Sequence, residues 1–174
     1  MHSSLLDSLM WFLSGPWMLL LLIPFVVFLL FKQYNRAQLI WVLSALVLTV
    51  VLTDQLSVHL FKEVFERYRP SHHSILKEQL HLHKYADGSF YSGGKFGFVS
   101  SHAANYFGIL TLLFKLLNQK WMKIILFIVS IMVVYSRVYL GVHYVSDILC
   151  GAILGWCLAK IVLQFLFLRK LKLV

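Results

Sequence analysis

Three short segments of this chain carry residues suited to moving a phosphoryl group. Lys62 is followed at K-x6-R-P spacing by Arg69 and Pro70, and a run Ser100-Ser101-His102 comes next. Ser136 and Arg137 then precede His143 and Asp147 as S-R-x5-H-x3-D. Phosphoryl transfer asks mainly for positioning and for neutralisation of the equatorial oxygens. Lys62, Arg69 and Arg137 supply the charge, and a guanidinium can fork onto two phosphate oxygens. His143 and Asp147 stand at i and i+4, on one face of a helix start. The carboxylate can then hold one imidazole nitrogen and leave the other as an oriented nucleophile. The same pair also reads as an interfacial histidine beside an N-terminal helix charge. Ser100 or Ser101 can cap a helix, and the free amides of that helix start suit an anion. His102 is placed to protonate a leaving oxygen as general acid. Headgroup snorkelling is the other reading of the cations, and it suits Arg67 and Lys95 better than the spaced set.

The elements that must position these residues are apolar. The 174-residue chain is 60% hydrophobic with a mean hydropathy of +0.78, beyond the apolar share of a soluble domain. Its length predicts a single domain, 1–174. The net charge of +9 is scattered between apolar runs, without the basic face or tail that nucleic acid requires. Five spans are expected: 9–31 with Pro16 and Pro24 as kinks, 37–62, 101–117, 121–137 and 144–168, each near the roughly 20 residues that cross a bilayer. The fold class is therefore an all-α membrane bundle with a short N-terminal lead and an outer loop or cap over about 63–100. All three motifs fall at span ends, so a phosphate carried on a lipid is the expected substrate.

Loop charges give an orientation. Lys32 and Arg36, then Lys115, Lys120 and Lys123, then Arg169, Lys170 and Lys172 share one side, which the positive-inside rule assigns to the cytoplasm. The N-terminus, the segment 63–100 and the turn 138–143 then face out. That outer segment carries Lys62, Arg67, Arg69, Lys77, Lys84 and Lys95 against the rule, as a site needing positive charge would. Asp87-Gly88 and Gly93-Gly94 mark turns within it.

In this order the three motifs resemble the type 2 phosphatidic acid phosphatase family, which includes the vanadium haloperoxidases. The first and third match in full. In the second, Val99 and Ser101 stand where the family has Pro and Gly, while Ser100 and His102 are kept. The resemblance implies a lipid phosphatase in which His143 attacks phosphorus, Asp147 supports it, and His102 protonates the leaving oxygen and later activates water. Lys62, Arg69, Ser100, Arg137 and backbone amides near Ser101 would hold the phosphate. It also implies no metal or other cofactor and a bacterial inner-membrane enzyme, whose site the loop charges put at the outer face. Lipid A 1-phosphate, undecaprenyl diphosphate and phosphatidylglycerol phosphate are candidate substrates. A lipid-to-lipid phosphotransferase would use the same residues, and a non-catalytic lipid-binding protein would be expected to have lost one.

Four features fall outside the motifs. His72, His73, His81 and His83 are read as loop residues, since a zinc site would want a third clear ligand and a second shell. Asp54, inside a span, is read as a hydrogen-bonding residue near the site, where an intramembrane acid is a functional hint. Cys150 and Cys157 lie about 10 Å apart along a helix, too far for a disulfide. Gly151, Gly155 and Ala159 at four-residue spacing allow close helix packing, read as packing within a monomer.

Overall fold

The structure, a computed structural model, describes residues 3–169. Its helices are α1 (Ser4–Ser14), α2 (Trp17–Gln33), α3 (Arg36–Leu56), α4 (Glu63–Phe65), α5 (Ser101–Leu116), α6 (Lys120–Tyr139) and α7 (Val145–Arg169). A π-helical segment, Ser57–Lys62, joins α3 to α4. Among the described residues, three stretches are long and apolar enough to cross a membrane: Arg36–Phe65, Lys120–Tyr139 and Val145–Phe165. The other two expected spans are helices of 17 residues (α2) and 16 residues (α5). Large apolar side chains stay exposed along the bundle, among them Phe31, Ile40, Ile153 and Phe165. Such a surface needs lipid against it. Lys170 and Lys172, counted above with the inward tail, lie outside the described residues.

The first expected span is broken. Gly15 and Pro16 end α1, and α2 starts anew at Trp17. Pro16 has no N–H for the helical ladder, and it serves as the N-cap of α2. Pro24 is carried inside α2 without ending it. α1 is tied to the far end of α6 instead: the Tyr139 hydroxyl donates to Asp7 at 2.6 Å.

Local sequence sets the remaining ends. Asn35 and Gln38 form a capping box at the start of α3. The Ser100 hydroxyl caps α5 by accepting from Ala103 N. The exit of α5 leaves orphan carbonyls, and Tyr34 Oη and Gln33 Nε2 both donate to the Leu116 carbonyl. Buried Leu30, Val42, Leu112, Leu116, Met122 and Ala159 form the apolar core at this end of the bundle.

α5 and α7 pack backbone to backbone. Gly155 faces the Ala104 carbonyl, and a Cβ there would also come within 2.9 Å of Gly108 N. A Cβ on Gly151 would sit 2.5 Å from the Ser100 carbonyl. The small-residue stripe thus packs within the chain. It brings the start of α5 against the start of α7, where Ser100 N donates to the Asp147 carbonyl at 3.0 Å.

The segment 66–100, expected above to face out, folds over the same end as short turns. Pro70–His72 and Leu76–Glu78 are 3-10 helices, and isolated bridges pair Tyr68 with Phe96 and Lys84 with Phe90. Asp87-Gly88 turns the second pair, with Gly88 at φ +88°.

Candidate active site

A cavity of about 310 Å³ opens where α3, α5, α6 and the α6–α7 turn meet the segment 66–100. Lys62, Arg69, Ser101, His102, Arg137 and His143 all line it, as do Asp54, Tyr91 and Asn105. Of the residues expected to catalyse or to hold phosphate, Ser100 and Asp147 do not. Ser100 is fully buried with its hydroxyl committed to the α5 cap. Asp147 is fully buried behind His143.

The two nitrogens of His143 face different partners. Nδ1 lies 3.4 Å from Asp147 Oδ2. Nε2 lies 2.9 Å from Arg69 Nη1. Arginine only donates, so Nε2 is the acceptor and carries the lone pair, and Nδ1 carries the proton. Burial pushes the His143 pKa down to about 4. The hydrogen bond to Asp147 pulls upward, and Arg69 and Arg137 add to the lowering. The ring is therefore neutral at physiological pH, with its free nitrogen in the cavity.

Asp147 is held by three donors. Besides His143, Tyr144 N donates to Oδ2 at 3.0 Å and Arg67 Nη1 donates to Oδ1 at 3.0 Å. Arg67 Nη1 also donates to Ser146 Oγ at 2.8 Å, and the guanidinium lies 4.2 Å over the Tyr144 ring. Arg67 is thus anchored on the buried carboxylate and is not a snorkelling cation. Its place two residues before Arg69 was the only sequence signal for this role.

The cations are fixed from several elements. Arg69 is buried, with Nε donating to the Phe96 carbonyl and Nη1 to the Val142 carbonyl, both at 3.1 Å. Burial, then the nearby Arg137, lowers its pKa to about 10, so it stays charged. Lys62 Nζ donates to Ser101 Oγ at 2.6 Å, and Ser101 also meets Ser57 Oγ at 2.6 Å. In an ideal α-helix, eight residues would set Lys62 roughly 80° round from Asp54. The wider π turn between them, of the kind found at functional sites, lets both line the cavity. Arg137 Nη1 donates to Ser14 Oγ and Nη2 to the Tyr91 hydroxyl at 2.9 Å. Its buried Nε has no protein partner among the described residues. No local pattern flagged Ser14, Tyr91 or Asn105.

Glycines let the outer segment come this close. A Cβ on Gly97 would lie 3.0 Å from Arg69 Cγ and 3.1 Å from Asp147 Oδ2. Two of the loop histidines reach back to α1. His83 stacks on Trp11, His81 pairs with Asp7 at 3.1 Å, and His73 Nδ1 accepts from Ile75 N at 3.3 Å.

A helical membrane bundle with a cationic cavity around a neutral, carboxylate-held histidine defines a membrane phosphoric ester hydrolase. Residues 38–171 match the PAP2 superfamily, and the chain belongs to that family. It is 33% identical over 168 residues to a lipid A 4'-phosphatase of Porphyromonas gingivalis, covering 95% of this chain and 69% of that one. It is 33% identical over 129 residues to phosphatidylglycerophosphatase B of Bacillus subtilis, covering 69% of this chain and 56% of that one. In fold it is similar to the PAP2-type phosphatidylglycerolphosphate phosphatase from Bacillus subtilis, at a TM-score of 0.66 and 24% identity over 98% of this chain and 81% of that one. LpxE of Aquifex aeolicus gives a TM-score of 0.59 at 25% identity, over 94% of this chain and 88% of that one.

Proposed function

We propose that the chain hydrolyses a phosphomonoester of a lipid A-type glycolipid through a phosphohistidine, at the outer face of a bacterial inner membrane. The observation that carries the reading is His143 Nε2, unprotonated in a cavity that Lys62, Arg69 and Arg137 also line. In the first step Nε2 attacks phosphorus and forms the N–P bond while the P–O bond to the lipid breaks. His102 gives its proton to the departing lipid oxygen. In the second step His102, now neutral, takes a proton from water, and the hydroxide oxygen displaces His143 from phosphorus. Inorganic phosphate leaves, and both histidines return to their starting states. Lys62, Arg69 and Arg137 carry the charge on the equatorial oxygens, with Ser101 and the α5 amides beside them. Asp147 keeps the proton of His143 on Nδ1. Ser100 acts indirectly, by fixing the start of α5.

Arg69 has a double part in this scheme. In the free enzyme it donates to the lone pair that must attack, so phosphate binding has to draw its Nη1 off the imidazole. The same event exposes the nucleophile and places the charge. The lipid A assignment draws on the Porphyromonas gingivalis relative, which spans nearly the whole chain.

The test is phosphate release by purified protein from lipid A, phosphatidic acid, phosphatidylglycerol phosphate and undecaprenyl diphosphate, with and without EDTA. Rapid quench with labelled substrate should trap an acid-labile, base-stable phosphate on the wild type and none on His143→Ala. Release unaffected by His143→Ala would overturn the mechanism, and full loss in EDTA restored by zinc would point to a metal site instead.

A further inference from the structure

A second cavity, of about 200 Å³, sits at the corner where Gly15 and Pro16 separate α1 from α2. Trp11, Ser14, Trp17 and Tyr91 line it. It adjoins the phosphate cavity, because Tyr91 lines both. Ser14 and Tyr91 are also the two side chains that hold Arg137. A group covalently attached to a phosphate on Arg137 therefore has this corner as its neighbour.

The corner is built from aromatic rings in fixed relation. Trp11 stacks on His83 at 3.9 Å between centroids with planes 6° apart. Tyr91 and Tyr85 meet Trp11 edge-on at 5.0 Å and 5.6 Å. Of the rings that line the cavity, Tyr91 comes from the outer segment and Trp11 and Trp17 from α1 and α2, while His83 and Tyr85 pack on Trp11 and fix it. Rigid aromatic walls with a few hydroxyls at the rim suit a ring with apolar faces and polar edges. An acyl chain offers nothing to the rim hydroxyls, and a glycerol unit has no flat face for the indoles.

We propose that this corner is a sugar subsite: it takes the pyranose ring whose phosphate lies on Arg137, so the enzyme selects phosphates esterified to a lipid-linked sugar. The inference rests on the lipid A-type reading above and adds the residues that would hold its sugar. Trp17 is the residue to change, since it is 58% exposed and lies in the cavity wall. Trp11 holds the outer segment and its loss would disturb the fold.

Trp17→Ala should raise KM for lipid A about tenfold, the scale of one aromatic contact, with kcat/KM for phosphatidic acid within twofold of wild type. Equal losses on both substrates would make Trp17 a membrane-interface anchor and overturn the subsite, as would no change on either. A second measurement does not depend on turnover. His143→Ala in nanodiscs should bind lipid A more tightly than phosphatidic acid, and adding Trp17→Ala should erase the difference. If the wild type releases phosphate from neither lipid but this binding preference appears and then vanishes, the subsite stands and the hydrolase reading fails. If His143→Ala shows no preference, the subsite is wrong whatever the enzyme hydrolyses.

Discussion

Removing Arg67 should slow the chemical step without touching phosphate. The guanidinium donates to Asp147 Oδ1 at 3.0 Å, and Asp147 in turn faces His143 Nδ1 at 3.4 Å. The Asp147 side chain is 0% exposed and that of Arg67 is 41% exposed. Breaking a wholly buried ion pair costs about 3–5 kcal/mol, and an exposed pair is worth about 0–1 kcal/mol. With one partner open to water, Arg67→Ala should cost about 1–3 kcal/mol, the penalty for leaving a buried acceptor short of a donor. If the loosened carboxylate passes that loss to the transition state, kcat falls about 5- to 150-fold at 1.36 kcal/mol per decade. KM should hold within about threefold, because Arg67 does not line the phosphate cavity. Arg67→Lys should recover only part of the rate, since an ammonium lacks the rigid fork and stacks poorly on Tyr144. The assay is steady-state kinetics with single-turnover formation of the phosphoenzyme, across a double-mutant cycle with Asp147→Ala. Arg67 acts through Asp147 in this account, so its removal should add little once Asp147 is gone. Fully additive effects, or a change confined to KM, would refute the argument.

Three further outcomes are expected. His102→Ala should slow both half-reactions by about 10²–10⁴-fold, and a substrate with a good leaving group should rescue the first of them, so that phosphohistidine accumulates in rapid-quench samples; the same substrate should not rescue His143→Ala. Gly97→Ala should cut activity by about tenfold or more, since its Cβ would press on Arg69 and Asp147, whereas Gly155→Ala should lower the thermal midpoint because its Cβ meets α5 backbone. The folded chain holds His143 near 4 while the unfolded chain binds its proton near 6.5, so the unfolded state takes up the proton first as pH falls. The His143 contribution should therefore reduce stability between about pH 6.5 and 4, and His143→Gln should flatten that part of the melting curve.

What the sequence determined is local. The i, i+4 spacing of His143 and Asp147 already placed imidazole and carboxylate side by side, because a helix start fixes that geometry within one turn. Apolar run lengths located α3, α5, α6 and α7 to within a few residues, since in lipid the backbone must satisfy itself within a helix. The residue types of the motifs set the chemistry on offer, three cations and two histidines, all lining one cavity. Tertiary structure decided what depends on contacts across the chain. Arg137 meets Ser14 from 123 positions away and Tyr91 from 46, separations at which spacing carries no information. Arg67 reads on paper as one more basic residue at a membrane surface, and only the arrival of α7 hands it Asp147. Ser100 reads as a phosphate ligand or as a cap, and the packing of α5 against α7 buries it as a cap. Pro16 reads as a kink in one long span, and the docking of α1 on α6 through Asp7 and Tyr139 turns it into the corner beside the site. The sequence supplied side chains of the right chemistry at helix ends, and the glycine-thin contact between α5 and α7 decided which of those ends converge.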